Sequence, residues 1–181
     1  MSAMVSFLIV QETRNSLNRY MCGRRLLNDL IRNSRELIQH TVSFSRFKGQ
    51  DQKGREWRRE IAQLTISLLE TVSEILKRPS SSERKEKIST SKPIKIHNLS
   101  LEEERGAMSY VNGDFERVPF VLILKLRSII VTHAKVLNKP LEAVHELVLL
   151  RFTANISEAY LFLQQLTKTP YPFPLVQVVD F

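Results

Sequence analysis

Cysteine is almost absent from this sequence, because Cys22 is the one cysteine in 181 residues. An internal disulfide framework and a cysteine-based zinc site are therefore excluded, and this usage fits a reducing compartment. Glycine and proline are also scarce, at five and seven residues. Together with the near-average fractions of apolar and charged residues, this excludes general disorder and a collagen-like fold.

Long apolar runs and short catalytic motifs are missing as well. No stretch approaches the roughly 18 consecutive apolar residues of a membrane-spanning helix, and the apolar run Met4–Val10 lacks the flank of a signal peptide. The sequence has no glycine-rich phosphate loop and no Gly-x-Ser-x-Gly elbow. With 43% hydrophobic and 25% charged residues, the composition is that of one ordinary domain.

Positive charge is concentrated in the first third of the chain. The net charge is +8, and the segment from Arg14 to Arg59 has 12 Lys and Arg against 4 Asp and Glu, which is the whole excess. Its ten arginines are Arg14, Arg19, Arg24, Arg25, Arg32, Arg35, Arg46, Arg55, Arg58 and Arg59. Such a segment attracts polyanions, an anionic lipid surface or confined small anions. The alternative is a solvated helix face with internal ion pairs.

Helical periodicity runs through the first half of the chain. A first helix is predicted from Ser2 to about Phe47, and Gly23 marks a kink or a close helix contact within it. One apolar stripe of this helix has a spacing of three and four residues. It consists of Leu17, Tyr20, Leu27, Leu30, Ile31, Leu37, Ile38, Thr41 and Phe44. A second helix is predicted from about Gly54 to Lys77, with an inner side of Trp57, Ile61, Leu64, Leu68, Val72 and Ile75.

The second half of the chain is also predicted to be helical. Residues 78–97 are serine-rich and charged and are interpreted as a mobile loop. A capping box at Ser100 begins a short helix to about Tyr110. Pro119 lies in the first turn of a helix to about Leu137, and Pro140 begins the last helix, which reaches about Leu166. No strand pattern competes with these helices, so the predicted class is all-α.

Few residues suggest chemistry. Glu142 and His145 have the Glu-x-x-His spacing of di-iron bundles, but those sites need two such pairs and two further glutamates. A solvated helix face is the favoured interpretation, and Cys22 is interpreted as a packed helix residue. The other histidines are isolated and are interpreted as structural: His40, His97 and His133. We therefore predict no metal site and no enzyme.

Five segments together resemble the bestrophin family of anion channels, in its bacterial and plastid branch. The first part of the motif is Glu12–Tyr20 (ETRNSLNRY), followed by Gly23–Arg25 and by Asn28–Leu37 (NDLIRNSREL). Val118–Phe120 resembles the Val-Pro-Phe that begins a cytosolic helix of the family, and Pro172–Leu175 resembles its Pro-Phe-Pro entry to a membrane helix. The order of these segments along nearly the whole chain carries the resemblance.

The resemblance implies a subunit of a homopentameric chloride channel for passive transport of chloride and other small anions. The chain would be one partial bestrophin-like domain in a membrane, mostly on the cytosolic or stromal side. It would divide into the end of a membrane helix (1–12), a basic helical hairpin (13–77), the loop (78–97), cytosolic helices (98–169) and the entry to a further membrane helix (170–181). Membrane lipid is an expected partner and nucleic acid is not. No cofactor is evident, and the family's calcium clasp would lie beyond Phe181.

The resemblance also suggests roles for single residues. The cytosolic constriction of the family would fall at Leu141, with Val144 as the reserve, whereas ordinary core packing is the alternative for Leu141. The other motif residues would line an anion vestibule or hold helices together. They are Arg14, Asn15, Arg19, Tyr20, Gly23, Arg24, Asn33, Ser34, Arg35, Pro119, Pro172 and Pro174. A protein of another class remains the alternative, namely a soluble basic helical protein that binds nucleic acid or a protein partner.

Overall fold

A computed structural model of the chain describes residues 2–46, 52–77 and 114–168. Its elements are α1 (Ser2–Ser45), α2 (Gln52–Leu76), a 3₁₀ turn (Phe115–Arg117), α3 (Val118–Val131), α4 (His133–Val136) and α5 (Ala143–Lys168). These three ranges contain no strand, so the predicted all-α class is confirmed. The predicted loop at 78–97, the helix that follows Ser100 and the segment Pro172–Leu175 lie outside the described residues.

The four longer helices contact one another in a closed order. The α1 helix packs along α5, α5 on α3, α3 on α2, and α2 on α1. Helices α1 and α5 run antiparallel, because Arg19 contacts Leu166 whereas Phe44 contacts His145. Among the described elements this antiparallel contact is the most extensive, and it determines which face of α1 is left exposed.

Each of the long helices contributes large side chains to one core. The predicted inner side of α2 is confirmed, because its aromatic and aliphatic residues there are buried, apart from Ile75, which is partly buried. Side chains with less than 2% exposure include Leu30, Leu37, Ile61, Leu68, Leu122, Leu126, Ile130, Leu149 and Ile156. Burial of each such side chain contributes about 1.5–3 kcal/mol. The indole Nε1 of Trp57 donates a hydrogen bond of 3.0 Å to the Ile129 carbonyl and joins α2 to α3.

The helix boundaries in the second half differ from the prediction. The helix that contains Pro119 ends at Val131 instead of reaching Leu137, because Thr132 leaves the helical conformation and its hydroxyl donates to the Ser128 carbonyl at 2.9 Å. Leu137 is extended, with ψ of 138°. The last helix therefore begins at Ala143, and Pro140 precedes it.

The predicted apolar stripe of α1 is only partly buried. Leu30 and Leu37 are 1% and 0% exposed, whereas Leu17 and Tyr20 are 58% and 63% exposed. The stripe is wider than the face that one neighbouring helix covers. Leu17, Tyr20, Leu27 and Ile31 therefore lie outside the covered face.

The membrane-helix assignment that the resemblance implies is corrected for the described residues. None of the described helices is long and apolar enough to cross a membrane. The apolar start of α1 ends at Val10, because Glu12 and Arg14 follow.

Candidate functional site

A row of arginines lies on the outward face of α1, opposite the face that packs on α5. Helical spacing brings these residues to one side, and all of them are exposed. We call the set the basic strip, and it consists of Arg14, Arg24, Arg25, Arg32 and Arg35. From its first to its last residue the basic strip extends about 32 Å.

Most of the basic strip is not neutralised by other described residues. Arg32 pairs with Asp29 at 3.0 Å, and the Arg32 side chain is 68% exposed. The other four arginines form no hydrogen bond or ion pair with any described residue. The strip therefore presents guanidinium groups to solvent with little competition from carboxylates.

Arg19 has a different role from the arginines of the basic strip, although it belongs to the same sequence motif. Its guanidinium donates a hydrogen bond of 2.7 Å to the carbonyl of Leu166 in the last turn of α5. A cation at this end of a helix also interacts favourably with the helix dipole. Gly23 lies beside the same residue, and a Cβ at this position would approach Leu166 Cδ2 to 3.1 Å. Arg19 and Gly23 thus hold α5 against α1, and Gly23 marks a close contact.

Asn33 belongs to a second polar contact between α1 and α5. Its amide nitrogen donates to the Asp29 carbonyl at 2.7 Å, and its oxygen accepts from Asn155 at 3.3 Å. A cavity of about 280 Å³ opens beside this pair, with Arg32 and Glu158 at its sides. The cavity has both signs of charge, so it carries no preference for anions.

The remaining motif residues divide between buried and exposed positions. Ser34 is 1% exposed, and its hydroxyl has no hydrogen-bond partner among the described residues. Pro119 is buried in the first turn of α3, as its position in the sequence predicts. Asn15 and Tyr20 are exposed on α1. Pro172 and Pro174 lie outside the described residues.

The two candidates for a constriction lie in contrasting places. Leu141 is 6% exposed and belongs to the core cluster, which favours the packing interpretation for this side chain. Val144 is 69% exposed on α5. Of the two residues, only Val144 presents its side chain to solvent.

The three histidines within the described ranges take part in packing, whereas His97 lies outside these ranges. The buried His133 bonds through Nδ1 to the Ile130 carbonyl at 2.9 Å, as expected of a structural histidine. The ring of Phe44 contacts the rings of both His40 and His145, with centroid distances of 5.0 and 4.1 Å. His145 Nδ1 is 4.0 Å from a Glu142 carboxylate oxygen.

No metal site accompanies these histidines in the described ranges. The described ranges contain no group of three or more His, Cys, Asp or Glu that could hold a metal ion. Cys22 is exposed on α1, contrary to the interpretation as a packed residue. Its outward position follows from the same helical spacing that exposes the basic strip.

A polar junction between the 3₁₀ turn and α5 was not predicted from the sequence. The Tyr160 hydroxyl donates to the Glu116 carbonyl at 2.7 Å, while the Glu116 carboxylate accepts from Gln164 and pairs with Lys168. Burial, together with the nearby Glu116 and Asp114 carboxylates, raises the pKa of Tyr160 above its usual value. No local pattern indicates this junction, because Glu116 and Tyr160 are far apart in the sequence.

Comparison with known proteins gives no relative, because no family model, curated protein or solved structure matches the chain. The expectation of a membrane-spanning channel is corrected for the described residues. The described residues have no transmembrane helix, and no matching family supports the channel name. What the structure does contain is a helical bundle with an exposed basic strip.

Proposed function

We propose that this chain is an anion-binding helical module that serves passive transport of chloride and other small anions. The observation that carries the proposal is the basic strip, in which Arg14, Arg24, Arg25 and Arg35 have no protein partner among the described residues. The bestrophin-like motif supports the proposal, because every arginine of the strip lies within the segments of that motif. The proposal assigns no catalytic role to the chain.

The strip fits weak binding better than tight capture of anions. Exposed ion pairs contribute about 0–1 kcal/mol each, because water competes for both charges. A row of arginines nevertheless raises the local concentration of counterions and the rate at which they arrive. Fast exchange of this kind suits a conduction pathway, in which an ion must leave as easily as it enters.

The proposal also includes contact with an anionic membrane surface through the start of α1. This end of the helix extends beyond α5, because Arg19 is already level with Leu166 near the end of α5. Its apolar side chains are exposed: Met4 74%, Val5 46%, Phe7 65%, Ile9 56% and Val10 66%. Exposed apolar residues followed by arginines are typical of helices that lie at the surface of anionic lipid without crossing it.

Chloride relaxation in the presence of the chain tests anion binding. We expect excess ³⁵Cl line broadening, reduced by about half in the double variant Arg24→Gln/Arg25→Gln, since two adjacent free guanidinium groups are lost. The matched control is Arg55→Gln/Arg59→Gln, which removes the same charge from the exposed face of α2. Equal broadening by both double variants would exclude the basic strip as the anion site.

Binding to a DNA duplex distinguishes the alternative function. A protein that neutralises many phosphates loses about 10³-fold in affinity between about 50 and 200 mM salt. We expect only weak binding with no preference for sequence. Tight DNA binding at physiological salt that the Arg24→Gln/Arg25→Gln variant abolishes would replace the anion proposal with a nucleic-acid function.

Flotation with vesicles tests the membrane contact separately. We expect the chain to float with phosphatidylglycerol–phosphatidylcholine vesicles and to stay in solution with phosphatidylcholine alone. Phe7→Ser/Val10→Ser should abolish flotation, whereas the control Leu124→Ser/Val131→Ser, equally exposed on α3, should not. Loss of flotation in both double variants would contradict a specific role for the start of α1.

A further inference from the structure

The outward face of α5 carries a continuous row of exposed residues at a spacing of three and four. We call it the α5 seam, and it consists of Val144, Leu147, Arg151, Ala154, Glu158, Leu161 and Gln165. It lies opposite the buried face of α5, which contains Leu149, Ile156 and Leu163. This heptad spacing is that of a helix that packs along another helix.

The apolar side chains of the α5 seam are highly exposed to solvent. Val144 is 69% exposed, Leu147 67% and Leu161 42%, and Phe162 at the edge of the seam is 46% exposed. Single exposed apolar residues are common on protein surfaces. A row of them at heptad spacing indicates a surface that another helix covers.

Two opposite charges lie in the middle of the α5 seam without partners among the described residues. Neither Arg151 nor Glu158 forms an ion pair or hydrogen bond with a described residue. They cannot pair with each other, because seven residues of helix separate them by about 10 Å. Ala154 lies between the two and has the smallest side chain of the seam.

We propose that the α5 seam binds the α5 seam of a second copy of this chain, antiparallel and around a two-fold axis at Ala154. Leu147 and Leu161 both lie seven residues from Ala154, so each would face the other across the axis. Measured along the helix axis, Arg151 of one copy would lie within about 1.5 Å of Glu158 of the other, since the two residues are three and four positions from the two-fold axis. Each of these contacts would thus occur twice, once on either side of the axis, as a two-fold interface requires.

The expected association is weak and reversible. The seam is about 32 Å long and a helix is about 10 Å wide, so the interface falls below the roughly 1,000 Å² of stable complexes. A dissociation constant of roughly 10–100 µM is therefore expected. The proposal is independent of anion binding, because it uses no residue of the basic strip.

Sedimentation of the full chain tests the proposal by charge reversal. Over about 5–200 µM we expect a monomer–dimer equilibrium, weakened about tenfold or more by Arg151→Glu and by Glu158→Arg, since each puts like charges together. The double variant Arg151→Glu/Glu158→Arg restores the pair and should restore dimerisation. Arg59→Glu, exposed on α2, is the matched control and should leave dimerisation unchanged.

Cross-linking tests the position of the axis. In a Cys22→Ser background, Ala154→Cys should form a disulfide-linked dimer under mild oxidation, whereas Ala134→Cys, exposed on α4, should remain monomeric. A chain that is monomeric at the highest concentration, or a dimer that neither charge reversal weakens, overturns the proposal. Equal cross-linking at both cysteines refutes the two-fold axis at Ala154.

Discussion

Replacement of Leu141 by alanine distinguishes core packing from a constriction in an ion pathway. The side chain is 6% exposed and belongs to the core cluster. The substitution removes three carbon atoms, and at about 0.8 kcal/mol for each buried CH₂ this loss alone costs about 2.4 kcal/mol. A residual cavity adds to that cost, so we expect the free energy of unfolding to fall by about 2–5 kcal/mol.

Val144→Ala is the matched comparison on the neighbouring helix. Val144 is 69% exposed, so the loss of two carbon atoms should cost no more than about 0.5 kcal/mol. Urea denaturation followed by circular dichroism gives both values from the change in midpoint, provided that the slope stays constant. Equal stability of the two variants would refute the assignment of Leu141 to the core and would revive it as a constriction residue.

Three further substitutions test the contacts of α5. Arg19→Gln should lower the unfolding free energy by about 1–2 kcal/mol in urea, because the charge-assisted bond to the Leu166 carbonyl is lost; an unchanged midpoint would contradict that role. Gly23→Val should cost about 1–3 kcal/mol in the same assay, since its side chain would meet Leu166, and a more stable variant would argue against this close contact. Tyr160→Phe should cost about 1 kcal/mol near neutral pH through the lost bond to Glu116. Because the folded state raises the pKa of Tyr160, its stabilising effect is present below pH 10 and is lost as the pH rises further, so alkaline unfolding of the phenylalanine variant should be less steep.

The positions of the two longest helices in the first half follow from local sequence pattern. An apolar residue every three or four positions from Trp57 to Val72 specifies both the α2 helix and its buried side, and α2 packs as that pattern predicts. Charge is equally local information, because arginines at helical spacing share a face wherever the helix lies. The all-α class and the existence of a basic strip were therefore accessible from the sequence.

Tertiary contacts decided which residues of those patterns are buried or hydrogen-bonded. Leu30 and Leu17 belong to the same predicted stripe, but only Leu30 is buried, because α5 ends near Arg19 and covers one side of α1. The separation of Arg19 from the other arginines likewise depends on a carbonyl 147 residues away. No local pattern specifies such a partner, since burial and hydrogen bonding depend on which helix happens to lie opposite.

Leu141 and Tyr160 show the same division between local and tertiary information. An apolar residue after Asn138-Lys139-Pro140 can serve in a core or at an opening, and its burial was decided by helices from distant parts of the chain. The sequence pattern around Tyr160 indicates only a residue of an amphipathic helix. Its hydrogen bond to Glu116 exists because the 3₁₀ turn folds back onto α5. The sequence by itself determined which segments are helical and the sign of the charge on their exposed faces. The tertiary structure decided which faces are covered, because only the packed chain brings residues from distant segments within bonding distance.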